Sequence, residues 1–225
     1  MSASIQSGSS RRKLFIPVLS AEPGIADAFV RAVLGEAEET SGEVEFGHYH
    51  AFLEAVPPDG TDLAGAKVKY RQADAIVWLV HFMDGRSLED ARGLLECIAA
   101  SCTAPMGVFI FRPEAERQFK ISCPECGQKL WVMEHEVGMR GRCVNCRRPM
   151  TIPTPSEHLR ATLRLRDSVP VLNVVRSDAS LCRGALANLL ARTGSGIHVG
   201  AGLPPEDFLK QATVPIQLDV NMVGR

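Results

Sequence analysis

The sequence predicts a three-layer α/β domain with a mostly parallel sheet, and three observations predict it. Short, wholly apolar runs that suit strands buried on both faces recur at Leu14 to Leu19, Ala75 to Val80 and Met106 to Phe111. Segments with the 3.6-residue periodicity of one-sided helices alternate with them. The 225 residues are 45% hydrophobic and 23% charged, enough for one domain of about 150–190 residues plus a small module.

In chain order, residues 1–12 are small, polar and basic and are expected to be a disordered tail. The run LFIPVL opens the sheet at Leu14. Ile25, Ala28, Phe29, Ala32 and Val33 then form a helical stripe, with Pro23 suited to its first turn. The acidic stretch from Glu36 to Glu45 reads as a solvated turn, and Val44 to Val56 as one or two extended strands. Pro57-Pro58-Asp59-Gly60 breaks the chain before the AIVWLV strand. Ser87 opens the next helix, whose stripe is Leu88, Ala91, Leu94, Leu95, Ile98, Ala99 and Cys102. After the MGVFIF strand and a cysteine-rich insert come a helix at 157–166, a strand at 169–175 and a helix at 181–191. A short helix at 206–212 and an edge strand at 214–220 complete the expected elements. The boundaries are a tail at 1–12, the α/β domain at 13–118 and 154–195, the insert at 119–153 and an extension at 196–225.

A net charge of −1 and a pI near 6.6 give no bulk attraction to nucleic acid or to an anionic membrane. No stretch approaches the roughly 20 apolar residues that span a bilayer. Ser10-Arg11-Arg12-Lys13-Leu14-Phe15 loosely matches a twin-arginine signal, but the apolar run after it is interrupted at Glu22-Pro23-Gly24. A cytoplasmic protein with no membrane association is expected.

Seven cysteines are present, four of them in two CxxC pairs. With no secretion signal, that pattern favours metal thiolates over disulfides. Cys97, Cys102 and Cys182 lie in helical patterns and read as buried thiols. Cys123, Cys126, Cys143 and Cys146 form CxxC-x16-CxxC, and the segment 119–153 resembles a zinc ribbon. Four thiolates close a tetrahedron around one structural Zn2+ and leave no open position for catalysis. Arg147 stands where many ribbons carry glycine, so a less regular second knuckle is expected. His135 is redundant beside four cysteines. The α/β core is expected to be separate from the ribbon, so that metal loss would act only locally.

Arg140, Arg142, Arg147 and Arg148 cluster near the second pair, and Trp131 offers a stacking surface. A zinc tetrathiolate carries −2, which offsets part of this basic excess. A protein partner is therefore favoured over nucleic acid.

The α/β portion resembles a Ras-like small GTPase domain. Asp62-Leu63-Ala64-Gly65 has the DxxG form of the loop that senses the γ-phosphate, and Ala73-Asp74-Ala75-Ile76-Val77 resembles the strand that follows it. Phe111-Arg112-Pro113-Glu114 lies where the guanine-reading motif would stand, and Ser177-Asp178-Ala179 where a base-contact loop would lie. The phosphate loop is missing. Ser20-Ala21-Glu22-Pro23-Gly24-Ile25-Ala26-Asp27 replaces GxxxxGK[ST], and Glu22 and Asp27 would repel phosphate from a helix N-terminus that should attract it. A weaker likeness to receiver domains, with a flavodoxin-like sheet, fails at its acidic metal pair, where Ser20 and Ala21 stand. The resemblance implies a non-catalytic, zinc-binding interaction or regulatory protein. The alternatives are a nucleotide switch with an atypical pocket using Asp62, Gly65, Arg112, Glu114 and Ser177, and a zinc-ribbon nucleic-acid binder. His48 and His50 share one strand face and read as surface residues.

Overall fold

The computed structural model describes residues 13–35, 39–46, 49–56, 70–81, 88, 92–93, 95–96, 98, 102–113 and 117–192. The elements expected at 206–212 and 214–220, along with Asp62, Gly65, His48, Cys97 and Glu114, lie outside them. In chain order the strands are β1 (Lys13–Ser20), β2 (Ser41–Phe46), β3 (Tyr49–Val56), β4 (Ile76–Val80) and β5 (Met106–Arg112). They continue with β6 (Gln118–Ser122), β7 (Lys129–Met133), β8 (Arg140–Arg142), β9 (Pro149–Thr151) and β10 (Val171–Val175). Among the described residues, the complete α-helices are α1 (Ile25–Leu34), α2 (Pro155–Leu163) and α3 (Ala179–Arg192).

Among the described residues, six strands make one sheet in the order β10-β5-β4-β1-β3-β2. Every neighbouring pair is parallel except β2 and β3. A parallel sheet must be covered on both faces, and β4 shows how its sequence achieves this. Ala75, Val77 and Leu79 enter one core with α1 and α3, while Ile76, Trp78 and Val80 enter a second core on the opposite face. The continuous apolar run is two interleaved faces with a period of two.

On the first face Phe29 of α1 sits 5.8 Å from both Phe109 and Phe111 of β5, ring centroid to centroid. Arg183 of α3 donates from Nε to the carbonyl of Val33 at 2.6 Å, which satisfies a terminal carbonyl of α1 and ties the two helices together. Gly107 permits the approach of α3 to β5, since a Cβ there would stand 3.1 Å from the Leu189 side chain. Asp74 latches the start of β4 to β1: its Oδ2 accepts from the Phe15 amide and its own amide donates to the Phe15 carbonyl, both at 2.9 Å.

Two expectations need correction. The segment from Ser41 onward is the edge strand β2, not a solvated turn. Its glutamates alternate with Val44 and Phe46, so Glu43 and Glu45 face outward and meet Lys13 and His50. A run of acids masked the alternation, and charges on an edge strand also discourage pairing with other chains. Helices α2 and α3 each begin two residues earlier than the apolar periodicity suggested, because their caps lie upstream. Thr154 and Glu157 form a reciprocal capping box at α2, and Asp178 Oδ1 accepts from the Leu181 amide at 2.9 Å at α3. Among the described residues, no helix is long and apolar enough to cross a membrane.

Candidate metal centre

Two small hairpins, β6–β7 and β8–β9, follow β5 and carry one cysteine pair each at their tips. The two tips are built alike. The Cys123 carbonyl accepts from the Gly127 amide at 2.9 Å, and the Cys143 carbonyl accepts from the Arg147 amide at the same distance. The Cys123 amide donates to the Gln128 carbonyl at 2.9 Å, and the Cys143 amide to the Arg148 carbonyl at 3.0 Å. Both turns need a left-handed residue, supplied by Gly127 at φ 71° and by Arg147 at φ 58°. The expected irregularity of the second knuckle is absent: Arg147 adopts the glycine conformation, at a steric cost of about 1–2 kcal/mol.

The knuckles bring all four sulfurs within 4.8 Å of one another. Cys123 Sγ stands 3.7 Å from Cys146 Sγ, and Cys126 Sγ stands 3.7 Å from Cys143 Sγ. A tetrahedron with zinc–sulfur bonds of about 2.3 Å has edges of about 3.8 Å, so the donor set fits one Zn2+. Amides of Gln128 and Arg148 point at the sulfurs of Cys126 and Cys146, and Asn145 Nδ2 lies 3.6 Å from Cys126 Sγ. Such donors stabilise thiolate charge. The Gln128 amide leads in drawing the Cys126 thiol down to about 6, against the effect of burial. The Arg148 amide also pulls at Cys146, but burial and the three other cysteines hold it up at about 11. A dication bound by the four sulfurs would take the place of their protons.

The two cysteine-bearing hairpins do not stand apart from the six-stranded sheet. Phe119, Ile121 and Val132 are buried in the same core as Trp78, Ile110 and Leu159, with Leu130, Met150 and Ile152 packed against it. This corrects the expectation of a separate core. Arg112, at the end of β5, donates to Glu134 in the turn between the hairpins at 2.7 Å. The alternation in QFKIS was a visible signal for the buried positions Phe119 and Ile121. Nothing in the sequence marked Glu134.

The other sequence candidates distribute as follows. Arg112 and Ser177 stand at the C-terminal ends of the neighbouring strands β5 and β10, but the Arg112 guanidinium turns to Glu134 and Ser177 is exposed in the turn before α3. Glu22, in the loop after β1, faces His81 beyond β4 at 3.4 Å. His135 is exposed and outside the cysteine cluster. Cys182 is buried, which pushes its thiol up to about 12, and Cys102 Sγ donates to the Tyr70 carbonyl at 2.7 Å. A mostly apolar groove of about 600 Å3 opens at the opposite, N-terminal end of the strands, where Ile76, Met106 and Pro170 precede or begin β4, β5 and β10.

No family model matches the chain, and no curated protein matches it significantly.

Proposed function

We propose that this chain is a non-catalytic interaction or regulatory protein, built on a Ras-like α/β scaffold that lacks phosphate machinery and stabilised by one structural zinc. The observation that carries this reading is the four-cysteine cluster, whose sulfur spacing matches a closed tetrahedral site. Support for the scaffold comes from the strand order, parallel throughout with an antiparallel second strand at one edge. In open α/β sheets, ligands bind outside the carboxyl ends of the strands. There Glu22 faces His81, and Glu134 takes up Arg112. Carboxylates at those positions oppose a nucleotide phosphate.

The test has two arms on the full-length protein. Elemental analysis should find one zinc per chain, lost on Cys123→Ser or Cys143→Ser. Titration with GTP, GDP or ATP plus Mg2+ should show no binding tighter than about 100 µM, a level set by the missing phosphate loop. Iron, or no metal at all, would remove the zinc-centred reading. Micromolar nucleotide affinity would put the nucleotide switch in its place.

A further inference from the structure

We infer that the solvent face of the ribbon binds single-stranded nucleic acid, with Trp131 as the stacking platform and Lys120, Lys129, Arg140 and Arg142 as phosphate contacts. The inference rests on the zinc-centred reading, because the metal orders the two hairpins that present this face. In β6–β7 the cross-strand pairs Phe119–Val132 and Ile121–Leu130 turn toward the second core, and in β9 Met150 does the same. The alternate positions therefore turn outward in both hairpins. They are Lys120 opposite Trp131, Lys129 opposite Ser122, and Arg140 and Arg142 on β8.

Every charged residue at these outward strand positions is a cation. In a chain whose net charge is −1, such segregation makes a local field that bulk neutrality hides. The ribbon's acids are committed elsewhere: Glu134 to Arg112, Glu125 to Arg148, and Glu136 to the Met133 amide.

Trp131 decides between anionic partners. It is 54% exposed, and the Lys120 ammonium lies 4.6 Å from its ring centroid. A half-open indole beside a lysine ammonium offers what a base and its phosphate need together: a π-surface and a nearby positive charge. An acidic polypeptide would use the cations and leave the indole unused.

The chain's other tryptophan, Trp78, is fully buried, so quenching of indole fluorescence by a nucleic acid reports Trp131. The experiment titrates full-length, zinc-loaded protein with a fluorescein-labelled oligothymidylate of about 12 nucleotides, a length within the usual site sizes. Saturable quenching is expected, with a slope of log K against log salt near −3 for four phosphate contacts. Trp131→Ala should weaken anisotropy-detected binding by roughly fivefold or more. Arg140→Gln with Arg142→Gln should flatten the slope by about half. Each variant should keep one zinc, which guards against unfolding as the cause. The inference is overturned by absence of saturable binding to zinc-loaded protein, by full affinity in Trp131→Ala, or by equal competition from polyglutamate. The first two outcomes leave the zinc reading intact, whereas a protein without zinc would defeat that reading instead.

Discussion

Arg112 closes β5 and Glu134 opens the turn between the two ribbon hairpins, and the guanidinium donates to the carboxylate at 2.7 Å with both side chains largely covered. Beneath this bond the buried face of β6–β7 continues the core that Trp78 and Ile110 begin. The sheet and the two hairpins therefore meet through a polar link and an apolar layer. A double-mutant cycle with Arg112→Ala and Glu134→Ala, followed by urea denaturation, should return a coupling of about 1–2 kcal/mol. A coupling near zero would reduce the pair to a surface contact.

Metal removal should unsettle more than the ribbon. Chelation, or Cys143→Ser, should lower the melting temperature of the whole far-ultraviolet signal in one transition. A ligand held a thousandfold above its dissociation constant adds about 4 kcal/mol. At this chain length that corresponds to roughly 8–16 °C. Two transitions, with the α/β signal melting at the original temperature, would mean that the shared core transmits little.

The two knuckles predict opposite responses to glycine exchange. Arg147→Gly relieves a left-handed arginine and should stabilise the zinc-bound protein by up to about 1 kcal/mol. Gly127→Ala imposes the same strain on the first knuckle and should destabilise by about 1–2 kcal/mol. Chemical denaturation of zinc-loaded protein measures both, and equal effects would contradict the conformational account.

Much of this architecture was legible in advance because it is written in local patterns. The strands at Leu14, Ala75 and Met106 are continuous apolar runs, and the CxxC spacing states its chemistry directly. What escaped was non-local or masked by charge. Glu43 and Glu45 hid the alternation of β2, since an edge strand needs only one apolar face. The junction of ribbon and sheet depends on Phe119, Ile121 and Val132 meeting Trp78 across the fold, and no periodicity within 119–153 names that partner. Arg147 misled for a different reason: a side chain that merely tolerates the left-handed region leaves no signature where glycine would have.

Helix α2 carries a buried imidazole. Burial, reinforced by the charge of Lys129, lowers His158 from 6.5 to about 4. Below 6.5 the unfolded chain binds a proton that the folded chain refuses, so this contribution to stability is full above about 6.5 and is lost as pH falls toward 4. Nuclear magnetic resonance should find the His158 ring neutral down to about pH 5. Titration near 6.5 would show the site to be open to water.

The cap of the same helix can be tested separately. Thr154 Oγ1 accepts from the Glu157 amide at 3.1 Å, and the Glu157 carboxylate in turn accepts from the Thr154 amide at 2.8 Å. Thr154→Ala should cost about 1 kcal/mol in denaturation. The Thr154 amide and hydroxyl hold the Glu157 carboxyl below its ordinary range. The cap's contribution is thus present above the usual carboxylate range and fades only as pH drops through the lowered value.

The two cysteine-bearing hairpins lie in the chain between β5 and β10, two strands that must find each other as parallel neighbours. A freely fluctuating segment from Arg112 to Val171 would have to close a long loop before that pairing formed, and the entropy of closure rises with length. Cross-linking the knuckles around a metal ion folds much of that segment onto itself and shortens the search. A metal-bound cluster would then act on the rate at which β10 arrives, beyond its effect on the finished molecule. Refolding in the presence of zinc should be faster, and not only more complete, than refolding with the thiols empty.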